Sequence, residues 1–111
     1  MNELQSSHKE LAMRPPKIAD LKKAILHCLE EGRYLETTHV QVREIQRGIT
    51  FQDITHVLKT GRHEKSKDSF DIAFQAWNYA MRGTTVDQKE LRVIVSFDKE
   101  LDLLIITTFY L

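Results

Sequence analysis

The chain has 111 residues, with 16 Lys+Arg balanced by 16 Asp+Glu, 41% hydrophobic and 29% charged residues. That length allows one modest core, and the composition is that of a globular chain rather than a disordered one. Net neutrality excludes a protein that holds nucleic acid by its overall field, so any such role needs a local basic patch.

Compartment and membrane follow from the same reading. Cys28 stands alone, which excludes an internal disulfide and fits a reducing, cytoplasmic setting. The longest uncharged apolar run, Leu103 to Leu111, is too short to span a bilayer. The first sixteen residues lack an apolar signal region, so neither secretion nor membrane association is expected.

Residues 1–16 show no period and end in Pro15-Pro16, which reads as a flexible lead-in to a single domain over 17–111. Ile18, Leu21, Ile25, Cys28 and Leu29 recur at three- and four-residue steps, predicting a helix stopped at Gly32. Arg33 to Thr37 is short and β-prone and reads as a first strand. Thr38 can cap a second helix, with Val42, Ile45 and Ile49 inward and Gly48 near its end. Thr50 and Asp53 resemble a capping box opening a third helix, with Phe51, Ile54, Val57 and Leu58 inward and Gly61 as its stop.

Beyond Gly61 the period changes. Arg62 to Ser66 reads as an edge strand and residues 67–71 as loop. Phe74 to Arg82 reads as a strand with Gln75, Trp77, Tyr79 and Met81 on one side, although Ala73, Ala76 and Ala80 also permit a helix over 70–81. Gly83 to Gln88 reads as a turn. Leu91, Val93, Val95 and Phe97 alternate along a strand. After a turn at Asp98-Lys99-Glu100, Leu103 to Tyr110 is apolar on both faces, as a central strand is. Helices first and a meander last make an α+β fold, with two to three N-terminal helices on a C-terminal antiparallel sheet.

Several side chains could carry chemistry. His39, Arg43 and Arg47 step by four along the second helix, so a group titrating near neutrality and two phosphate-matching forks form one stripe. The same spacing also describes a solvated face, neutralised by Glu36 and Glu44. Lys65, Arg82 and Arg92 are basic residues of the predicted strands. Trp77 and Tyr79 could stack on bases or simply fill a core. His27, His56, His63 and Cys28 form no zinc-type spacing, so no metal and no cofactor is expected. No phosphate loop, nucleophile elbow or carboxylate pair is present.

The run His39 to Thr50, His-x3-Arg-x3-Arg-Gly-Ile-Thr, resembles the signature of a widespread family of small bacterial domains of unknown function. The closing Ile105-Ile106-Thr107-Thr108-Phe109-Tyr110 resembles that family's final strand, and the likeness covers roughly residues 33–111. The layout is also similar to RelE-like and MqsR-like toxin ribonucleases, which implies a RelE/barnase-like arrangement. Lys65-Ser66, Trp77-Asn78 and Arg82 fall where the MqsR-like toxins carry Lys-Ser, Trp-Gln and a downstream Arg. Asn78 is one methylene shorter than the Gln it replaces, and those toxins are basic where this chain is neutral.

The resemblance implies a metal-independent endoribonuclease of the toxin–antitoxin type, cleaving RNA through a 2′,3′-cyclic phosphate. His39 would be acid or base, Arg43 and Arg82 phosphate clamps, and Lys65 the transition-state stabiliser or a second proton carrier. Arg47, Asn78, Arg92 and Tyr110 would hold RNA, and Thr107 would orient a neighbour. Implied partners are RNA and a cognate antitoxin, with the chain a monomer or weak homodimer. The alternative is a non-catalytic protein- or RNA-binding module on the same fold. A purely structural role would require His39 and Arg43 to be buried against carboxylates.

Overall fold

A computed structural model describes residues 14–111. The greater part of the expected lead-in, residues 1–13, lies outside the described residues. Its last residues run against the sheet: the Trp77 Nε1 donates to the Pro15 carbonyl at 2.8 Å, and the Arg14 guanidinium sits 4.8 Å from the Phe70 ring centre.

Helix α1 (Leu21–Glu31) starts where Asp20 accepts from the Lys23 amide at 3.1 Å. It ends at Gly32, whose φ of +70° lets the Gly32 and Arg33 amides close the last turn. Its predicted stripe is buried through Leu21, Ile25 and Cys28. Strand β1 (Tyr34–Glu36) leads into α2 (Thr38–Arg47), and α3 (Phe51–Thr60) opens on the full Thr50/Asp53 capping box. Ile54, Val57 and Leu58 of α3 are fully buried, each worth about 1.5–3 kcal/mol of apolar burial.

The strands that follow are β2 (Arg62–His63), β3 (Ser69–Asp71), β4 (Ala76–Thr84), β5 (Glu90–Phe97) and β6 (Leu103–Tyr110). Their order across the sheet is β1-β6-β5-β4-β2, with β3 also pairing β4. The α+β reading holds, and β4, β5 and β6 form the expected antiparallel meander. The sheet is nonetheless mixed, because β1 joins β6 in parallel, placing Tyr34 opposite Leu103 and Glu36 opposite Ile105. This pairing seats β6 between two strands, the interior position expected of it. A register shift between Ile94/Val95 and Thr107/Ile105 leaves Ile106 as an extra residue in β6.

Helices α1 and α3 cover one face of the sheet. Tyr79, Met81, Leu91, Val93, Val95, Leu103 and Ile105 meet Leu21, Ile25, Ile54, Val57 and Leu58 in one core. The end of α3 crosses β4 very closely. A Cβ on Gly61 would stand 2.5 Å from the carbonyl oxygens of Arg82 and Val57, and one on Gly83 3.0 Å from the Gly61 Cα.

Four local expectations are corrected. On α2 the N-cap is Thr37, not Thr38. Thr37 accepts from the Val40 amide while its hydroxyl donates to the Ile106 carbonyl at 2.9 Å, and this turns Val40 and Glu44 toward the body. Val42 and Ile45 then lie on the far side and are 43% and 86% exposed; of the three expected inward residues only Ile49 is buried.

The edge strand ends at His63, and Lys65–Lys67 is a 3₁₀ turn pinned by Asp68. The buried Asp68 carboxylate accepts from the Ala80 amide at 2.9 Å and meets His63 Nε2 at 2.7 Å and Lys17 Nζ at 3.0 Å. Part of the expected 67–71 loop is β3, which pairs Ser69 with Asn78 and Asp71 with Ala76. Finally, β4 starts after Gln75, whose φ of +51° ends the 72–75 turn, and runs on through Gly83 to Thr84. Trp77, Tyr79 and Met81 share the helix-side face as expected.

Candidate functional site

The face of the sheet turned away from α1 and α3 carries the polar chemistry. Leu91 and Val93 point into the core, so alternation sends Arg92 between them to the opposite face. Arg92 stands opposite Arg82 on β4, Arg82 opposite Arg62 on β2, and Phe109 on β6 opposite Arg92. Residues directly opposite in a ladder share a face, so three arginines and an aromatic ring form one row across four strands.

Like charges so placed repel unless a counter-charge is supplied. Glu64, just beyond β2, supplies it. Its Oε1 accepts from Arg92 Nε at 2.7 Å and its Oε2 from Arg82 Nη1 at 3.4 Å, while Arg82 Nη2 donates to Glu90 Oε1 at 3.0 Å. The side chains of Arg82, Arg92 and Glu64 are only 28%, 19% and 12% exposed. The Arg92 hydrogen bond, more than any other contact, holds the Glu64 carboxyl below its ordinary pKa, and Glu90 leads in raising that of Arg82. The Arg82 Nε is buried without a partner among the described residues. The arrangement offers oriented, partly desolvated guanidinium groups to an anion that can displace Glu64.

Toward the other end of the same face lies a pocket of about 570 Å³, within the usual range of small-molecule sites. Thr37, Phe74, Asn78, Ser96, Leu104 and Ile106 line it. The sheet bulge at Ile106 and the 72–75 turn shape its walls. Ser96 donates to the Trp77 carbonyl at 2.8 Å, whereas the Asn78 amide has no hydrogen-bond partner among the described residues.

The structure therefore joins Arg82 and Arg92 and sets Asn78 on their face. Lys65 is not on a strand as expected; it sits in the exposed 3₁₀ turn next to Glu64. His39, Arg43 and Arg47 share α2, which packs on β6. His39 and Arg47 are exposed and Arg43 is half-buried, and none forms an ion pair or side-chain hydrogen bond among the described residues. Tyr110 stands opposite Leu91, on the helix side, with Lys89 Nζ 5.9 Å from its ring centre. It therefore faces away from the arginine row. Trp77 also points to the helix side, packed edge-on against Phe70. Buried oxygens of Glu44, Glu36, Thr107 and Thr108 lack partners among the described residues, and burial raises the Glu36 pKa.

Sequence reasoning missed Arg62, Glu64 and Phe74. The only signal for Glu64 was its place beside Lys65, and only strand pairing shows that it meets both arginines. Among the described residues no cluster of three His, Cys, Asp or Glu side chains could hold a metal, and no helix is long and apolar enough to cross a membrane.

A family model described as a domain of unknown function (DUF4258) matches residues 36–110. The chain belongs to this family. The matched segment of the DUF4258 domain runs from the end of β1 to the end of β6 and contains the whole arginine row, Glu64 and the pocket. Helix α1 precedes it, although Leu21, Ile25 and Cys28 help build the core. No curated protein and no solved structure matches the chain.

Proposed function

We propose that this DUF4258 domain binds RNA on its open sheet face and cleaves it without a metal ion, as a toxin-type endoribonuclease of the cytoplasm. The observation that carries the reading is the Arg62–Arg82–Arg92 row with Glu64 held inside it. A phosphodiester entering the row replaces Glu64 as the partner of Arg92 and Arg82. Losing those hydrogen bonds restores basicity to the Glu64 carboxylate beside the bound nucleotide. Glu64 then takes the proton of the ribose 2′-hydroxyl as it attacks the adjacent phosphorus. The P–O5′ bond breaks, the leaving 5′-oxygen takes a proton from His39 or Lys65, and a 2′,3′-cyclic phosphate remains. Arg82 and Arg92 stabilise the charge that develops on the phosphorane oxygens. Arg43 and Arg47 extend the basic surface from α2, and a cognate antitoxin covers the site.

The test is incubation of the purified chain with mixed-sequence RNA in EDTA, with products read by mass spectrometry. The comparisons are Arg92→Ala and the double variant His39→Ala/Arg43→Ala, each checked for folding by circular dichroism. Cyclic-phosphate ends from the parent, lost in folded Arg92→Ala, are expected. No cleavage of several RNAs by the folded parent refutes the nuclease.

The second reading is a non-catalytic module that binds protein or RNA on this face. The pairing of both arginines with Glu64 at rest favours it, since a carboxylate that already holds the guanidinium groups is not free to act as a base. RNA retention without cleavage, lost in Arg92→Ala, would establish it.

A further inference from the structure

We propose that the pocket floored by Asn78 and Ser96 is a nucleobase subsite that gives the open face its preference among RNA sequences. The inference rests on the RNA reading above and adds to it the place where a base is recognised.

Three features support the assignment. The pocket shares the face of the arginine row, since Asn78 and Arg82 are an even number of residues apart on β4. Ser96 and Leu104 are directly paired across β5 and β6, which continues the floor from Asn78. The four-residue step along β4 places the Asn78 amide about 13 Å from the row. That exceeds the reach of one nucleotide from phosphate to base, so the base bound here belongs to a neighbour of the clamped phosphate.

The lining has the two elements that single-stranded RNA readers combine. Phe74 stands at the rim, 82% exposed, on a turn held by its own amide donating to Asp71 Oδ1 at 3.2 Å and by the Gln75 side chain donating to the Ile72 carbonyl at 2.8 Å. A large ring held this far into solvent by an ordered turn offers a stacking surface. Asn78, half-buried and unengaged, presents an acceptor and two donors, the set that a base edge complements. Leu104 and Ile106 supply apolar walls that exclude water from those hydrogen bonds. Asp71 and Asp98, with Lys99, complete the lining; the two carboxylates disfavour a phosphate there and leave it to the arginine row, dividing the labour between base readout and phosphate anchoring.

The experiment uses the ¹⁵N-labelled full chain titrated with the four ribonucleosides, which lack phosphate. The signals followed are the Asn78 side-chain amide and the backbone amides from Phe74 to Asn78. Saturable shifts there with at least one nucleoside are expected. Phe74→Ala should weaken that binding about tenfold, and Asn78→Asp, which exchanges donors for an acceptor, should change which nucleoside is preferred. Absence of saturable shifts with all four, or shifts unchanged in both variants, overturns the proposal. If nucleosides miss the pocket while Arg92→Ala still abolishes oligonucleotide binding, the subsite is wrong and the RNA face stands. If nucleosides bind as expected but the parent neither retains nor cleaves oligonucleotides, the subsite stands and the nuclease falls.

Discussion

Replacing Gly61 by alanine tests how the arginine row is held. The backbone at Gly61, φ −78° and ψ −173°, is open to any residue, so the substitution carries no dihedral penalty. Its cost is steric. The new methyl falls 2.5 Å from two backbone oxygens, Val57 in the last turn of α3 and Arg82 in β4, where ordinary contact begins at 3.4 Å. Neither atom can rotate aside, so the helix end and the strand must part by about 1 Å, and overpacking of this kind costs about 3 kcal/mol. In a domain of this size that lowers the melting temperature by about 15 °C. The shift also moves Arg82 away from Glu64, so RNA retention should fall more than in a core variant of equal stability. Gly32→Ala is the control: its φ is +70° with nothing within 4 Å, so only the left-handed conformation is penalised, by about 1 kcal/mol. Calorimetry that finds Gly61→Ala melting within a few degrees of the parent, or no worse than Gly32→Ala, refutes the close crossing.

Other expectations are simpler to check. Ile45→Ala should change stability by less than about 0.5 kcal/mol, whereas Ile49→Ala should cost about 2–5 kcal/mol; equal urea midpoints for the two would contradict the orientation of α2. Thr50→Ala removes the capping box and should cost about 1 kcal/mol, with far-ultraviolet ellipticity tracking the melt. Because Glu64 titrates below its ordinary pKa when folded, its ionised form stabilises the fold above the unfolded pKa. That contribution is lost as pH falls through the depressed value. Glu64→Gln should therefore be weaker than the parent near neutrality and converge with it in acid; a gap independent of pH would exclude the pairing.

Much of the architecture was legible because it rests on local rules. The α1 stripe, the Thr50/Asp53 cap and the alternation of β5 each depend on neighbours within a few positions. The orientation of α2 was not. Val42 and Ile45 form a plausible inner stripe, and only the Thr37 hydroxyl bond to β6, made across the fold, turns Val40 and Glu44 inward instead. The strand order, with β1 parallel to β6, was hidden for the same reason. At the site, Arg82 and Arg92 could each be read as a lone charge on an alternating strand. Their juxtaposition depends on β4–β5 register, and Glu64 joins them only after β2 is paired. The pocket needs a bulge and a left-handed Gln75, neither of which leaves a signature in composition.

The parallel seam between β1 and β6 has a kinetic consequence. Every other strand contact is a short-range hairpin or near neighbour, but Thr37 and Ile106, at the end of this seam, are 69 residues apart. Closing so long a loop is entropically the most expensive step of assembly, while the meander can zip from its turns. The unit made of β1 and α2 should therefore dock last and open first. Native-state hydrogen exchange should find α2 amides exchanging faster than those of β4 and β5. The helix bearing His39, Arg43 and Arg47 would then detach and return while the arginines of the sheet stay in register.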